Sequence, residues 1–255
     1  MIYNTSWSNR FEIKKDRWVY NPTLESRTIG KQILKHLNKS WQKPDYYYHL
    51  RNGGHVEALK IHLENQFFAT INITDFFGYI SRSRITRSLK SRLSYDLARK
   101  IAKVSTVKAI ETYPHSHHLP YGFIQSPLLA SICLHDSTLG KLLDSINKNN
   151  LAIISVYMDD IVISSNNENS LISIFNDIHV AAKKSNFILH PNKTKPVAPQ
   201  TKAFNIVMSQ GCMKIEYDRF VELQRDYAIS DSEEVQHGIG SYVGSVNKQQ
   251  AKLLI

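Results

Sequence analysis

Large apolar residues recur at every fourth position between residues 84 and 104. They are Ile85, Leu89, Leu93, Leu97 and Ile101. Positions four apart lie on one side of an α-helix, so this spacing predicts a single amphipathic helix over the whole stretch. Its remaining sides carry many lysines and arginines, which we interpret either as a solvated surface or as a track for phosphate groups.

Other stretches show helical or strand-like patterns of their own. Further helices are predicted at residues 24–39, 58–63, 127–146 and 168–185. Strands or hairpins are predicted at residues 11–22, 67–73, 151–157, 161–165 and 203–217. The order strand, helix, strand, hairpin, helix, hairpin indicates an α+β fold, in which helices pack on one face of an antiparallel sheet.

Composition narrows the function classes. The chain has 255 residues, of which 42% are hydrophobic, enough for one substantial core or two lobes that share a cleft. The formal net charge of +10 favours an anionic partner, with nucleic acid ahead of a membrane surface. The only cysteines, Cys133 and Cys212, form no CxxC pair and therefore predict no structural zinc site.

Targeting signals are not evident in the sequence. The first ten residues do not have the basic and apolar segments of a signal peptide. No apolar run approaches the roughly 20 residues that a helix needs to cross a bilayer. We therefore expect a cytoplasmic protein that does not contact membranes.

Two adjacent carboxylates occupy the centre of the most apolar part of the chain. Asp159 and Asp160 lie between "LAIISVY" and "IVISS", which predicts a hairpin with both acids at its tip. Two neighbouring buried carboxylates repel each other unless a cation binds, and oxygen ligands suit Mg²⁺. The alternative is an ordinary polar turn, in which aspartate is common.

The residues around this pair extend the pattern. "YMDD" at residues 157–160 resembles the catalytic hairpin of reverse transcriptases, and further blocks of that family follow in the expected order. These blocks are "RWVYNP" (17–22), "HLRNGGHVEALKIHL" (49–63), "NITDFF" (72–77), "LPYGFIQSP" (119–127), "FILHPNKTK" (187–195), "FNIVMSQGCMKI" (204–215) and "GIGSYVGSVN" (238–247).

The resemblance implies a right-hand polymerase fold with fingers, a palm and a rudimentary thumb. Fingers are expected at residues 1–66, with residues 82–118 as an insertion between palm and fingers. The palm is expected at residues 67–81 and 119–218, where it carries the YMDD hairpin and the primer grip. Residues 219–255 remain for a thumb-like segment, so we expect help from a partner or a folded RNA, or short, repetitive or untemplated products.

The resemblance also assigns roles to individual residues. Metal binding and catalysis fall to Asp159, Asp160 and Asn72, with two Mg²⁺ ions that Mn²⁺ can replace. Nucleotide binding falls to Lys14, Lys15, Arg17, Asp75, Phe76, Phe77, Tyr121, Gly122, Gln125, Tyr157, Met158 and Lys193. Nucleic-acid binding falls to Arg84, Arg87, Lys90 and Arg92. A bulky Phe77 beneath the sugar implies a preference for dNTPs over ribonucleotides.

One position departs from the family pattern. The family's first metal-binding acid stands four residues before the double aromatic, and here that position holds Asn72. Three interpretations remain open: an engineered change from aspartate, a natural polymerase-like protein without activity, or replacement of the missing acid by Asp75. An amide oxygen can coordinate Mg²⁺ but carries no charge.

Within the family, "GGH" (53–55), "LPYGFIQSPLLAS" (119–131) and the short length resemble bacterial defence-associated reverse transcriptases. The chain is similar to the shorter reverse transcriptase of a two-polymerase type 3 system. This implies antiphage DNA synthesis from dNTPs on an RNA or DNA primer-template, with a non-coding RNA and a second reverse transcriptase or a homo-oligomer as partners. Some defence relatives prime synthesis from a protein hydroxyl. The alternative is a catalytically disabled subunit that binds nucleic acid as a scaffold.

Overall fold

A computed structural model describes residues 6–14, 17–109 and 113–254. The chain divides into two compact units. The first consists of Met1–Asp45, Ile73–Asp144 and Val180–Ile188, and the second of Tyr46–Asn72, Ser145–His179 and Leu189–Ile255. These units do not coincide with the expected fingers, palm and thumb boundaries, which stay a prediction.

Helices and short antiparallel strands make up both units. The strands are β1 (Trp7–Lys14), β2 (Arg17–Pro22), β3 (Phe67–Asn72), β4 (Val107–Lys108), β5 (His117–His118), β6 (Ile153–Tyr157), β7 (Asp160–Ser165), β8 (Lys195–Ala198), β9 (Gln200–Ala203), β10 (Ile206–Ser209) and β11 (Cys212–Ile215). The helices are α1 (Leu24–Ser40), α2 (Gly54–Lys60), α3 (Arg82–Leu89), α4 (Tyr95–Val104), α5 (Ser126–His135), α6 (Thr138–Lys148), α7 (Glu168–Lys184), α8 (Tyr217–Ile229), α9 (Glu233–Val246) and α10 (Lys248–Ala251). A 3₁₀ turn spans Tyr48–Leu50.

The second unit is built on a four-stranded antiparallel sheet in the order β6–β7–β3–β8. The two central strands consist mainly of apolar residues and are buried along most of their length. Their register pairs Ile71 with Ile161 and Asn72 with Asp160. This register brings the polar ends of two apolar strands together, which is how the sheet positions the candidate site.

A second sheet, β9–β10–β11, packs with the C-terminal helices. Its buried Ile206 and Met208 belong to one apolar cluster with Phe220 of α8 and Val243 of α9. The sequence predicted only a hairpin here, at residues 203–217, because the short strand β9 has no long apolar run. The family block at residues 238–247, within the expected thumb-like segment, lies mostly in helix α9.

In the first unit, the hairpin β1–β2 leads into helix α1. Tyr20 of β2 is buried with Val107 and Phe123, and Trp7 and Trp18 cover this small cluster. Helix α5 is buried along nearly its whole length, which explains why its large apolar residues lie on all sides rather than on one face. In the described part of the chain, no helix combines the length and apolarity that crossing a membrane requires.

The long helix expected at residues 84–104 is two helices, so that prediction was wrong. Helix α3 ends at Leu89, and α4 begins after Ser94, whose hydroxyl accepts a hydrogen bond from the Leu97 amide. A serine in this position satisfies a free amide of the first turn and therefore favours a helix start. As a consequence Leu97 is exposed rather than part of one apolar stripe.

The helix expected at residues 127–146 is also interrupted. Helix α5 ends at His135 and α6 begins at Thr138. The Ser137 hydroxyl accepts a hydrogen bond from the Gly140 amide and donates one to the Leu134 carbonyl, so it satisfies both helix ends. The apolar periodicity continues across the break and hides it from sequence analysis.

Candidate active site

The tip of the β6–β7 hairpin carries the YMDD residues. Tyr157 ends β6, Asp160 begins β7, and Met158 has a left-handed backbone with φ of 59°. The Met158 amide donates a 3.0 Å hydrogen bond to Nδ1 of His49. Burial lowers the pKa of His49 to about 4, so the ring is neutral near pH 7 and can accept that bond. His49 therefore holds the backbone of the turn.

Asn72 lies directly opposite Asp160 in the β3–β7 ladder and is 3% exposed. Its side-chain nitrogen donates hydrogen bonds to Asp160 Oδ1 at 2.8 Å and to Asp159 Oδ2 at 3.3 Å. The Asn72 backbone is bonded as well, because its amide donates to Thr194 Oγ1 and its carbonyl accepts from the His190 amide. The structure thus brings the three expected metal ligands together.

The electrostatics of this cluster favour a cation. Burial and the neighbouring Asp159 raise the pKa of Asp160 to about 6, while the Asn72 hydrogen bond and the Lys193 charge oppose the rise. The Asp160 carboxylate with its raised pKa, the adjacent Asp159 carboxylate and an amide oxygen together fit a hard divalent ion. No group of three His, Cys, Asp or Glu side chains suited to a metal occurs within the described ranges.

Asp75 lies beyond the end of β3 and belongs to the first unit. It has a positive φ of 42°, and its carboxylate accepts a short hydrogen bond from the Tyr113 hydroxyl. Burial and this bond raise the pKa of Tyr113, which keeps the hydroxyl protonated as a donor. In the strand register Asn72, and not Asp75, lies opposite Asp160. The Asp75 carboxylate is instead bonded to Tyr113.

Other expected nucleotide-binding residues gather in the first unit. The ring of Phe77 lies 4.8 Å from that of Tyr121, and the Arg17 guanidinium carbon lies 4.8 Å from the Tyr121 ring centroid. Phe76 is buried between the rings of Phe77 and Phe187. Arg17, Phe77 and Tyr121 therefore form one cationic and aromatic cluster.

The hairpin that carries the basic residues is only partly described. Lys14 is exposed at the end of β1, where it pairs with Arg17. Lys15 falls outside the described residues.

Gly122 and Gln125 have structural partners within the same unit. Gly122 has φ of 98°, and a Cβ atom there would lie 2.2 Å from the Tyr20 carbonyl oxygen. Gln125 is buried, and its side-chain amide donates to the Ser105 hydroxyl at 3.3 Å. In this structure Gln125 faces the interior, so a nucleotide contact requires its side chain to leave Ser105.

Two further predicted residues belong to the second unit. The Tyr157 ring packs among the rings of His49, His55 and Phe204. Lys193 is exposed in the loop before β8 and acts on Asp160 through its charge.

The four residues expected to bind nucleic acid differ in their surroundings. Arg92 makes two 2.6 Å hydrogen bonds to the Asp136 carboxylate, and Arg84 donates to the Ser185 carbonyl at 2.5 Å while it covers the Phe187 ring. Arg87 and Lys90 are exposed. Arg84 and Arg92 thus have partners within the fold, and nucleic-acid binding by the four residues stays a prediction.

The sequence matches a known protein family. The model of the family described as "Reverse transcriptase (RNA-dependent DNA polymerase)" matches residues 9–221, most of the chain. The chain belongs to the reverse transcriptase family. No curated protein matches it significantly. The α+β fold with its antiparallel sheets is the reverse transcriptase fold expected from the sequence.

Solved structures of the same fold come from distant proteins. Telomerase from Candida albicans, in complex with a TWJ fragment of telomeric RNA, matches with a TM-score of 0.52 at 11% identity. That match covers 85% of this chain but 46% of the telomerase chain.

Two further structures match less well. A foamy viral protease–reverse transcriptase with double-stranded DNA gives a TM-score of 0.49 at 15% identity, covering 91% of this chain and 34% of the other. Apo telomerase from Candida tropicalis gives 0.48 at 10% identity, covering 75% and 45%. The chain thus spans less than half the length of each structure.

Sequence analysis missed three residues that bond to candidate site residues. His49, Thr194 and Tyr113 each bond to a residue that the sequence singled out. His49 and Thr194 do lie in blocks that carry the family resemblance. That membership was the only available signal, because spacing along one chain does not reveal which side chain meets which.

Proposed function

We propose that this reverse transcriptase family member adds deoxynucleotides to a 3′-hydroxyl. The observation that carries the proposal is the Asp159–Asp160 pair, which projects from a buried hairpin directly opposite Asn72. A protein that used the fold only as a scaffold would gain nothing from two neighbouring half-buried acids, because the charge of Asp159 raises the cost of ionising Asp160.

Asp159 and Asp160 would hold Mg²⁺, or Mn²⁺ in its place. The amide of Asn72 would contribute its oxygen after a half-turn of the side chain, since its nitrogen now faces the carboxylates. Two such ions, when bound, activate a hydroxyl nucleophile and stabilise the leaving pyrophosphate. His49 and Thr194 would keep the ligands in place through the backbone bonds described above.

Other residues would bind and select the nucleotide. Arg17, with Lys14 and Lys15, would bind the triphosphate, because guanidinium and ammonium groups pair with phosphate oxygens. Phe77, packed rigidly against Tyr121, would exclude a 2′-hydroxyl and so favour dNTPs. The exposed ammonium of Lys193 would donate a proton to the leaving pyrophosphate from its Nζ atom.

The biological setting that we propose rests on the family resemblance. The chain would act in the cytoplasm in bacterial antiphage defence, with a non-coding RNA and a second reverse transcriptase or another copy of itself. Untemplated or protein-primed synthesis belongs to the same proposal and rests on the same resemblance.

A second function deserves a test because of one observation. The neutral Asn72 amide satisfies both carboxylates by hydrogen bonds without any metal ion. That arrangement favours a disabled polymerase that binds nucleic acid as a scaffold, since an aspartate at the same position would instead demand a cation.

Labelled dNTP incorporation separates the two functions. The purified chain, with and without its co-purifying RNA and partner, is given each dNTP with Mg²⁺ or Mn²⁺. We expect incorporation that Asp159→Ala abolishes and that Asp177→Ala, an exposed acid on α7, leaves unchanged. Incorporation that survives Asp159→Ala, or none in any form with all partners present, would refute the polymerase proposal.

A further inference from the structure

A cavity of about 950 Å³ lies within the first unit. Its walls come from α3, from Pro114 and His115, from the turn between α5 and α6, and from the last turn of α7 with the residues that follow. Pockets of roughly 300–1,000 Å³ are typical of sites for small molecules and cofactors. The cavity is therefore large enough for a ligand the size of a nucleotide.

Four basic side chains from two distant parts of the sequence meet at this cavity. Arg84 and Arg87 come from α3, and Lys183 and Lys184 come from the end of α7. Among the residues that the structure describes, the lining includes one acid, Asp136, and the guanidinium of Arg92 already neutralises it. The walls thus carry an excess of positive charge that the neighbouring acid does not balance.

Arg84 is held in place by a backbone carbonyl and an aromatic ring. Its guanidinium donates to the Ser185 carbonyl and lies 4.1 Å from the centroid of the Phe187 ring. Burial and the charge of Arg87 lower the pKa of the Arg84 guanidinium, while Cys133 opposes this lowering. No salt bridge to an acid is found for Arg84, Arg87, Lys183 or Lys184 in the described part of the chain. An anion would relieve this unfavourable concentration of like charge.

We propose that this cavity binds a nucleotide-sized ligand through its phosphate groups. Arg84 and Arg87 offer guanidinium forks, and the two lysines offer ammonium groups, which together suit a di- or triphosphate. Tyr79 and His115 line the wall and provide aromatic surface beside the charges. A concave site of this volume fits a small molecule better than the extended backbone of a long RNA. The proposal does not depend on polymerisation.

The test measures binding to the full chain by calorimetry, with ATP and inorganic triphosphate as probes. EDTA is present throughout, so that binding through a metal held by Asp159 and Asp160 does not contribute. We expect the double variant Arg87→Glu, Lys184→Glu to weaken binding of both probes at least tenfold. The matched double variant Lys31→Glu, Lys35→Glu, with the same charge change at exposed positions of α1, should change it less than twofold.

A second measurement avoids substitution altogether. Lysine acetylation is followed by mass spectrometry, with and without triphosphate. We expect triphosphate to slow acetylation of Lys183 and Lys184 several-fold and to leave Lys31 and Lys35 unchanged. Equal weakening in both double variants, or equal protection of all four lysines, would show nonspecific charge attraction and overturn the proposal.

A third arm uses a 12-nucleotide RNA without a terminal triphosphate. If only this RNA depends on Arg87 and Lys184, the basic wall serves a nucleic-acid backbone and the small-ligand site is refuted. If ATP and triphosphate depend on them and the RNA does not, the proposal stands, whatever the outcome of the incorporation assay.

Discussion

The side chains of Asn72 and Asp160 face each other across the β3–β7 ladder, joined by a 2.8 Å hydrogen bond from amide to carboxylate. An amide donates to a carboxylate, whereas a second carboxylate would repel it. Position 72 therefore decides whether this cluster is stable without a cation or depends on one.

Asn72→Asp should make the stability of the protein depend on divalent metal. The variant loses two hydrogen bonds to charged groups and adds a third negative charge, which we expect to cost about 2–4 kcal/mol without metal. Thermal unfolding in EDTA should then occur several degrees lower than in the wild type, and Mg²⁺ or Mn²⁺ should reverse most of the loss. An unchanged melting temperature in EDTA would show that the Asn72 hydrogen bonds contribute little.

His49→Ala should impair catalysis through the shape of the turn. The substitution removes the acceptor for the Met158 amide, and the turn is then free to move by an ångström or more. Misplacement on that scale lowers rates by about ten- to a hundredfold, and we expect dNTP incorporation to fall accordingly. His49→Gln, which retains an acceptor oxygen, should recover much of the rate.

His36→Ala, at an exposed position of α1, serves as the control for that prediction. Equal rates for His49→Ala and His36→Ala would mean that the turn keeps its conformation unaided.

The buried His62 should make the fold sensitive to acid. Its two ring nitrogens bond to the hydroxyls of Ser155 and Ser164, and burial lowers its pKa to about 3. Since the unfolded pKa is near 6.5, the unfolded chain takes up the proton first. The stability that neutral His62 contributes is complete above pH 6.5 and declines by about 1.4 kcal/mol per pH unit as the pH falls toward 3.

Urea unfolding at pH 7, 6 and 5 checks this dependence. Comparison with His62→Gln, which keeps polar contacts but does not titrate, isolates the residue. The wild type should lose its advantage over the variant as the pH falls. A difference between the two that stays constant with pH would contradict the assignment.

Gly122→Ala should destabilise the first unit. The substitution forces an alanine into a left-handed conformation and places its Cβ 2.2 Å from the Tyr20 carbonyl oxygen. The clash falls beside the hydrogen bond that the Tyr20 amide donates to the Tyr121 carbonyl. We expect a loss of at least about 2 kcal/mol in the free energy of unfolding. Gly238→Ala on α9, with nothing near its added carbon, should change stability by less than about 1 kcal/mol. Similar losses of unfolding free energy in both variants would show that the left-handed backbone and the close carbonyl at Gly122 do not matter.

Much of the fold follows from the sequence because the strongest patterns are local. The apolar runs at residues 67–73 and 161–165 give the two central strands, and the turn between β6 and β7 follows from the acids between them. The helix breaks at Ser94 and Ser137 were missed because the apolar periodicity runs through them. In each case one hydroxyl cap decides the boundary.

The candidate site was predictable only in part. The family pattern gives position 72 and the Asp159–Asp160 pair, but it does not show that Asn72 bonds to both acids. Nor does a helical pattern show that Arg92 pairs with Asp136 on another element. Such contacts depend on tertiary structure, which brings together residues separated by tens of positions.

We propose above that this chain polymerises dNTPs with an amide at position 72. The most direct measurement compares initial rates of dNTP incorporation for the wild type, Asn72→Asp and Asp159→Ala under one metal and partner condition. We expect a measurable wild-type rate, a higher rate for Asn72→Asp because the metal gains a charged ligand, and none for Asp159→Ala. A wild-type rate no higher than that of Asp159→Ala, with activity in Asn72→Asp alone, would identify the chain as a disabled polymerase.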